Sequence, residues 1–394
     1  MTSVLELRSV RGTGGGPEKT ILFGAARHDA ERFAITVCYL RDLRDDVFGI
    51  DDRARRLNLD YVEVRERHSF DPRIWTGLVA LARERRFDVI HGHDHKTNLV
   101  AWLLARRTGA IALATSHGWT GQSLRERWLY YPIDRWVLRR LPRVVAVSSD
   151  VRRALVAAGA DASRITVLLN GIDPEAFRRD GGTRERMRRE LGFSPTDRVI
   201  GAVGRLERQK RFDLLLEAFA AVRSSRPDLR LVIVGDGSLR GDLEAHAARL
   251  GIAEACRFLG HRLDIADLHN AFDLFVQSSE YEGTPNAVLE AMAMETPIVA
   301  TDVGGTSELA LAEIHGLIVP CRDVAALAAA IGSALNDPDA ARARARAARA
   351  RVEGDLSFAE RTRRLEAIYD ELVDTNGRRA TEPSDGHPVG VPHA

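Results

Sequence analysis

Short apolar runs alternate along the chain with longer amphipathic segments, the pattern of parallel α/β sheets. In the first half, runs near 4–9, 34–40, 89–92, 111–115, 144–147 and 165–168 predict strands. Helical periodicity falls between them, near 17–28, 72–85, 99–107, 122–141 and 150–158. The stretch 174–196 is polar and rich in Arg, Gly and Pro, which predicts a linker. A second series follows, with strands near 199–203, 231–234, 257–259, 274–277, 298–301 and 317–319. Its helices are expected near 212–225, 239–250, 285–294 and 324–335. The Ala/Arg run 339–351 is strongly helix-favouring, and 357–373 carries Leu365, Ile368, Tyr369 and Leu372 at helical spacing.

The pattern divides the chain into a doubly wound domain over 1–175, a linker over 176–197, a second doubly wound domain over 198–352, a last helix over 353–374 and a Pro/Gly-rich disordered tail over 375–394. Two such domains imply a cleft between the carboxyl ends of two parallel sheets, where ligands of these sheets bind. The two series do not align as sequence repeats.

Composition narrows the function classes. The 394 residues are 45% hydrophobic and 29% charged, enough for two cores in a water-soluble chain. A net charge of +1 gives no reason to expect nucleic acid as a partner. Cys38, Cys256 and Cys321 are scattered and odd in number, so neither a disulfide framework nor a Cys-rich zinc pattern is readable. The N-terminus MTSVLELRSVRG lacks a signal-peptide core, and no segment reaches membrane-spanning length, so a cytoplasmic protein is expected.

Chemistry concentrates at 278–309, SSEYEGTPNAVLEAMAMETPIVATDVGGTSEL. Thr284 has the chemistry of a helix N-cap, with Pro285 at the first helical position. The helix then starts beside Glu282, and its free N–H groups face the loop mouth. Glu290 lies inside an apolar run, where a buried carboxylate needs partners; ligand hydroxyls would serve. Four other stretches follow predicted strands. The turn 11–19 carries Gly14, Gly15 and Gly16, but Pro17 breaks a dinucleotide fingerprint. His91-Gly-His93-Asp-His95 invites a metal reading, yet no later His/Asp pair completes a site, and no metal is expected. His117-Gly118 follows the 111–115 run, and Gly204-Arg205 with Lys210 follows the first strand of the second series.

Glu282 and Glu290 stand at the two positions of the E-x7-E signature of retaining glycosyltransferases of family 4, whose fold is called GT-B. The resemblance continues through E-G-x-P, E-A-M-A, P-I-V-A-T and G-G-x-x-E, and covers nearly the whole chain. It implies two Rossmann-like domains facing each other across a cleft, with the last helix crossing back to the first. It implies a sugar transferred from a nucleoside diphosphate donor to a glycan or lipid-linked acceptor, with no cofactor and no metal. Arg205 and Lys210 resemble the family pair that holds the diphosphate. His117 takes a contact to the donor sugar, Glu282 its hydroxyls, and Glu290 the ribose. Gly14, Gly15, Gly16, Gly204, Gly283, Thr284, Pro285 and Asn286 fall on the donor side, and His91, His93 and His95 on the acceptor side. The aromatic and Arg-rich stretch 119–140 suits either a membrane interface at the inner face of the plasma membrane or a helix packed on the sheet with its arginines in water. Two departures stand out: Glu295 and Arg211 occupy positions where many relatives carry Gly. A GT-B sugar-nucleotide epimerase and a non-catalytic binding subunit are the rival readings.

Overall fold

A computed structural model describes residues 1–12, 14–68, 71–119 and 124–381, with backbone only at 377–381. The first sheet contains β1 (Thr2–Ser9), β2 (Phe33–Asp42), β3 (Asp60–Glu66), β4 (Val89–Gly92), β5 (Ile111–Ser116), β6 (Arg143–Ala146) and β7 (Ile165–Val167). The second contains β8 (Arg198–Val203), β9 (Leu229–Val234), β10 (Cys256–Phe258), β11 (Leu274–Gln277), β12 (Ile298–Thr301) and β13 (Leu317–Val319). Their orders are β3-β2-β1-β4-β5-β6-β7 and β10-β9-β8-β11-β12-β13, with every pair parallel. Each sheet reverses its winding once, between β1 and β4 and between β8 and β11. That is where a doubly wound sheet opens a crevice at its carboxyl edge.

Apolar side chains from the central strands and their helices fill both cores: Leu5, Leu7, Ile90 and Leu104 in the first, Ile200, Leu216, Phe219 and Val276 in the second. The helix Asn286–Ala293 is buried on nearly every face and packs on Pro338–Gly354 through Val288, Met292, Ala348 and Val352. The C-terminal helix Phe358–Thr381 leaves the second domain and lays Leu365, Ile368, Tyr369 and Leu372 on Val4, Val89, Leu113 and Val145 of the first sheet. Each such side chain contributes about 1.5–3 kcal/mol on burial, so this one helix ties the chain end to the first domain. The two crossings between domains bond to each other. Ile172 N–H donates to the Leu356 carbonyl, and Phe358 N–H to that of Ile172, both at 2.9 Å.

The short helices Ile265–Ala271 and Thr306–Leu309 are not among the expected elements, and larger departures accompany them. β3 and the helix Ile50–Arg56 are additional: Asp-Tyr-Val-Glu-Val-Arg-Glu is a mostly half-exposed edge strand interrupted by charges, so no continuous apolar run marks it. The expected linker 176–197 holds the helix Gly181–Glu190, which packs beside Ile265–Ala271, and its Arg188 is buried against the carbonyls of Ala271, Ser194 and Asp197. The expected helix 122–141 becomes a π-helical turn, Glu126–Tyr130, followed by Tyr131–Leu138; residues 120–123 lie outside the described residues. The last helix runs to Thr381, past the expected tail boundary at 375; the tail call for 382–394 falls outside the described residues.

Candidate active site

The carboxyl edges of the two sheets face one cleft of about 2320 Å³, more than the 300–1,000 Å³ or so of a typical small-ligand pocket. Room for two substrates follows from the doubled architecture. Its second-domain wall is built on Glu282, in the loop after β11. Glu282 is buried, and its Oε1 accepts from Lys210 Nζ at 2.6 Å, Gln277 Nε2 at 2.9 Å and Ser279 Oγ at 2.6 Å. Its Oε2 makes no hydrogen bond among the described residues. The Gly304-Gly305 turn supports this loop from behind. Gly304 has φ +50°, and a Cβ there would lie 1.7 Å from the Glu282 carbonyl oxygen, so only glycine fits. Gly305 N–H donates to the Gly283 carbonyl at 2.8 Å.

The cations sit on a neighbouring loop. Gly204-Arg205-Leu206 follows β8 and is zipped to the turn after β9: Gly204 N–H donates to the Val234 carbonyl and Leu206 N–H to that of Asp236, both at 2.9 Å. Gly235 closes this contact at φ +135°, where a Cβ would meet the Gly204 oxygen at 2.0 Å. The backbone around Arg205 is thereby held, while its side chain is exposed and makes no hydrogen bond or ion pair among the described residues. Sequence reasoning missed this Gly235-Asp236-Gly237-Ser238 turn; its glycine spacing after an apolar run was the available signal. Leu263 is also a cleft residue that sequence reasoning missed, and it is 88% exposed.

Contacts between the domains decide several other roles. Glu290 is buried in its helix, and its Oε1 pairs with Lys19 Nζ of the first domain at 2.8 Å. Thr284 is not an N-cap: the helix begins after Pro285 without a side-chain cap, and the Thr284 hydroxyl donates instead to the Val147 carbonyl across the cleft. An interdomain acceptor took the donor that local spacing had assigned to the helix. Asn286 lies against Gly16, where a Cβ would stand 2.6 Å from its Nδ2, and its Oδ1 accepts from Asn170 at 3.2 Å. Glu308, just beyond the Gly304-Gly305 turn, grips the start of the first-domain helix Ser149–Ala157. It accepts from the Ser149 N–H and hydroxyl, both at 2.7 Å.

Two family models match the chain in tandem: Glycosyltransferase Family 4 over 14–176 and Glycosyl transferases group 1 over 183–351. The glycogen synthase of Mycobacterium tuberculosis is 31% identical over 325 residues, 76% of this chain and 72% of that protein. The chain belongs to glycosyltransferase family 4. A lipopolysaccharide core biosynthesis mannosyltransferase of Rhizobium meliloti is 31% identical over 247 residues, 61% of this chain and 68% of that protein. Among solved structures, Anabaena Alr3699/HepE in complex with UDP and glucose superposes with a TM-score of 0.83 at 21% identity, over 94% of this chain and all of that one. Sucrose-phosphate synthase from Thermosynechococcus elongatus gives 0.78 at 20%, over 95% of this chain and all of that one. Both share the GT-B fold with this glycosyltransferase.

In the first domain of the glycosyltransferase, Gly14, Gly15 and Gly16 line the same cleft as Arg205 and Lys210. The Gly15 N–H is not free, however: it donates to Glu18 Oε2 at 2.6 Å, and Glu18 is in turn held by Arg8 at 2.9 Å. His117 lines the same wall. Burial pushes its imidazole well below the usual histidine range, and Arg8 adds to this, so it is an uncharged hydrogen-bonding group at neutral pH. The three histidines of the H-x-H-x-H run separate. His93 and His95 both line the cleft, and His95 stacks on Tyr130 at 5.0 Å. His91 is fully buried away from it, which removes it from the acceptor side: an apolar strand turned it inward. Among the described residues, Glu6, His91 and His93 are the one group whose ligand atoms lie within 4.8 Å of one another. They do not fit a metal. Both His91 nitrogens are engaged, by the Tyr369 hydroxyl at 2.9 Å and Thr115 at 2.8 Å, and Arg361 is buried beside Glu6.

The two family departures of the glycosyltransferase have a backbone cause. Arg211 has φ +48° and Glu295 φ +49°, the left-handed region that glycine occupies at no steric cost. Arg211 recovers part of that cost through Asp213 at 2.9 Å and Glu280 at 3.3 Å. Glu295 makes no ion pair among the described residues. Glu295→Gly is therefore expected to raise stability by about 0.5–1 kcal/mol, read as a higher urea midpoint at unchanged slope; a lower midpoint would contradict the strain argument.

Proposed function

We propose that this glycosyltransferase moves a hexose from a nucleoside diphosphate to an acceptor hydroxyl with retention of anomeric configuration, in the assembly of a bacterial glycolipid or extracellular polysaccharide. The observation that carries the reading is the cluster at Glu282: a buried carboxylate paired with Lys210, with one oxygen unbonded among the described residues, in the same cleft as a second cation, Arg205, whose side chain makes no hydrogen bond or ion pair among them. The two cations receive the charge that grows on the departing diphosphate. Glu282 Oε2 takes sugar hydroxyls and stabilises developing positive charge at the anomeric carbon. Glu290 takes the ribose hydroxyls, for which Lys19 must move aside. Attack comes from the face that the leaving group vacates, and the leaving phosphate oxygen accepts the acceptor proton. The relatives support this chemistry by their names, a mannosyltransferase of lipopolysaccharide core synthesis and a glycogen synthase.

The test is a panel of UDP-, GDP- and ADP-sugars, first by thermal shift and then by product NMR. One donor should stabilise the protein and yield a product of retained configuration only when acceptor is present. Donor turnover without acceptor would favour the epimerase, binding without turnover the non-catalytic subunit, and an inverted product would remove the mechanism.

Two cations and a helix N-terminus supply the charge that Mg²⁺ provides elsewhere, so transfer is expected to survive EDTA at full rate. A loss of activity that Mg²⁺ restores would overturn this.

The acceptor side suggests a membrane-borne acceptor. Tyr131–Leu138 packs on the first domain through Val137 and Leu138, as an amphipathic helix does, but Leu124 and Trp128 are 72% and 78% exposed beside Arg125 and Arg127. No helix among the described residues is long and apolar enough to cross a membrane. Flotation with anionic vesicles at low salt should carry the protein up, and Trp128→Ser with Leu124→Ser should reduce it at least several-fold. No flotation of the wild type would leave the patch a solvent-exposed helix face.

A further inference from the structure

Beneath the cleft lies a buried polar group drawn from three distant parts of the chain. Glu6 on β1, His93 after β4 and Tyr369 on the C-terminal helix are all at least nine-tenths buried. The Tyr369 hydroxyl donates to Glu6 Oε1 at 2.7 Å, and His93 Nε2 bonds to Glu6 Oε2. A carboxylate that already accepts from a tyrosine is an acceptor towards the ring as well, so the His93 proton sits on Nε2. Burial pushes His93 down to about 4, which leaves the ring neutral at pH 7. A neutral imidazole protonated at Nε2 carries its lone pair on Nδ1. His93 Nδ1 is buried and has no hydrogen-bond partner among the described residues, and the same holds for Nε2 of His117, whose ring centroid is 6.5 Å away. Both rings line the cleft. Buried ring nitrogens left without partners are costly, and two on the wall of a sugar-transfer site are accounted for by a ligand that brings its own O–H groups, which donate to His93 Nδ1 and can donate to or accept from His117.

We propose that Glu6, held by Tyr369, is a positioning residue that fixes His93 as the Nε2–H tautomer, so that Nδ1 accepts a hydrogen bond from a sugar hydroxyl in the cleft. The inference rests on the glycosyl-transfer reading for the identity of the ligand, but the tautomer does not. Donor sugar and acceptor offer the same hydroxyl chemistry, and kinetics separates them. His93 Nδ1 serving the donor predicts that His93→Ala raises KM for the donor, and serving the acceptor predicts a raised KM for the acceptor.

Glu6→Gln keeps the shape and can still accept from Tyr369 through its carbonyl oxygen. Its NH₂ then faces His93 and drives the proton to Nδ1, turning the acceptor into a donor. Turnover should fall about 10–100-fold, with affinity for the free nucleoside diphosphate unchanged. His93→Asn, which can place an oxygen near the Nδ1 position, should keep clearly more activity than His93→Ala. The wild-type protein gives the decisive readout whatever the variants do. In ¹⁵N NMR of the histidine rings, His93 Nδ1 should be unprotonated in the free protein and shift when donor or acceptor is added. A protonated Nδ1, or no response to either substrate, overturns the proposal, as does wild-type turnover in both Glu6→Gln and His93→Ala. If the tautomer is as stated but the wild type transfers no sugar from any donor, the fault lies with the proposed reaction and not with the Glu6–His93 pair.

Discussion

Arg205→Ala is expected to lower kcat about 10²–10³-fold while leaving the melting temperature where it was. The first half follows from where charge moves. As the glycosidic bond breaks, negative charge gathers on the diphosphate, and only interactions that strengthen at that moment raise the rate. Removal of one such preorganised contact typically costs about 10²–10³ in kcat. The second half follows from the packing. Arg205 is exposed, and no protein group among the described residues depends on it, whereas its backbone is held by the turn after β9 through bonds that the substitution leaves intact. Lys210→Ala should be as slow but also less stable, because Lys210 is the cation of the buried Glu282 and packs over Gly204. Steady-state kinetics with melting curves checks both. Unchanged turnover in both variants would remove the diphosphate assignment; equal loss of stability in both would mean that Arg205 has a structural partner.

The second large effect separates the two glutamates. Glu282→Gln keeps the shape and loses the charge. Glu282 Oε1 is held by Lys210, Gln277 and Ser279 in a fixed pose, while Oε2 makes no hydrogen bond among the described residues. The lost charge matters most when the anomeric carbon is positive, so kcat should fall about 10²–10³-fold while the Kd of the free nucleoside diphosphate changes little. On the proposed reading, in which Glu290 takes the ribose hydroxyls, Glu290→Ala acts on the other end of the donor. Removal of a charged acceptor for ribose hydroxyls costs about 1.5–3 kcal/mol, which is roughly a 10- to 100-fold weaker Kd. The Lys19 partner it leaves behind is partly exposed and returns to water. Calorimetry with the free diphosphate and single-turnover assays on both variants decide. Loss of nucleotide affinity in Glu282→Gln together with its retention in Glu290→Ala would require the roles to be exchanged or dropped.

The alternation of apolar runs and helical periodicity was enough to place all six strands of the second sheet, because most are buried along their length and read as apolar runs; the edge strand β10, Cys-Arg-Phe, exposes a charge at its centre. It failed at β3, an edge strand that is half-exposed along most of its length and carries four charges, and at Gly181–Glu190, whose polar sequence hides a helix that buries only Met187 and Arg188. The Glu282–Glu308 block was legible for a similar reason: the loop, helix, strand and Gly-Gly turn are contiguous, so their spacing is local. What only the tertiary structure decided is what each polar group there touches. Nothing in sequence joins Glu290 to Lys19, Thr284 to the Val147 carbonyl or Glu308 to Ser149, since those contacts exist only when the two sheets face each other. Glu6, His93 and Tyr369 make the same point more sharply. Periodicity records which side of an element is buried, and it counted Tyr369 as apolar. A hydrogen bond depends on where two side chains arrive in space, and for partners separated by most of the chain that position is set by the packing of the whole fold.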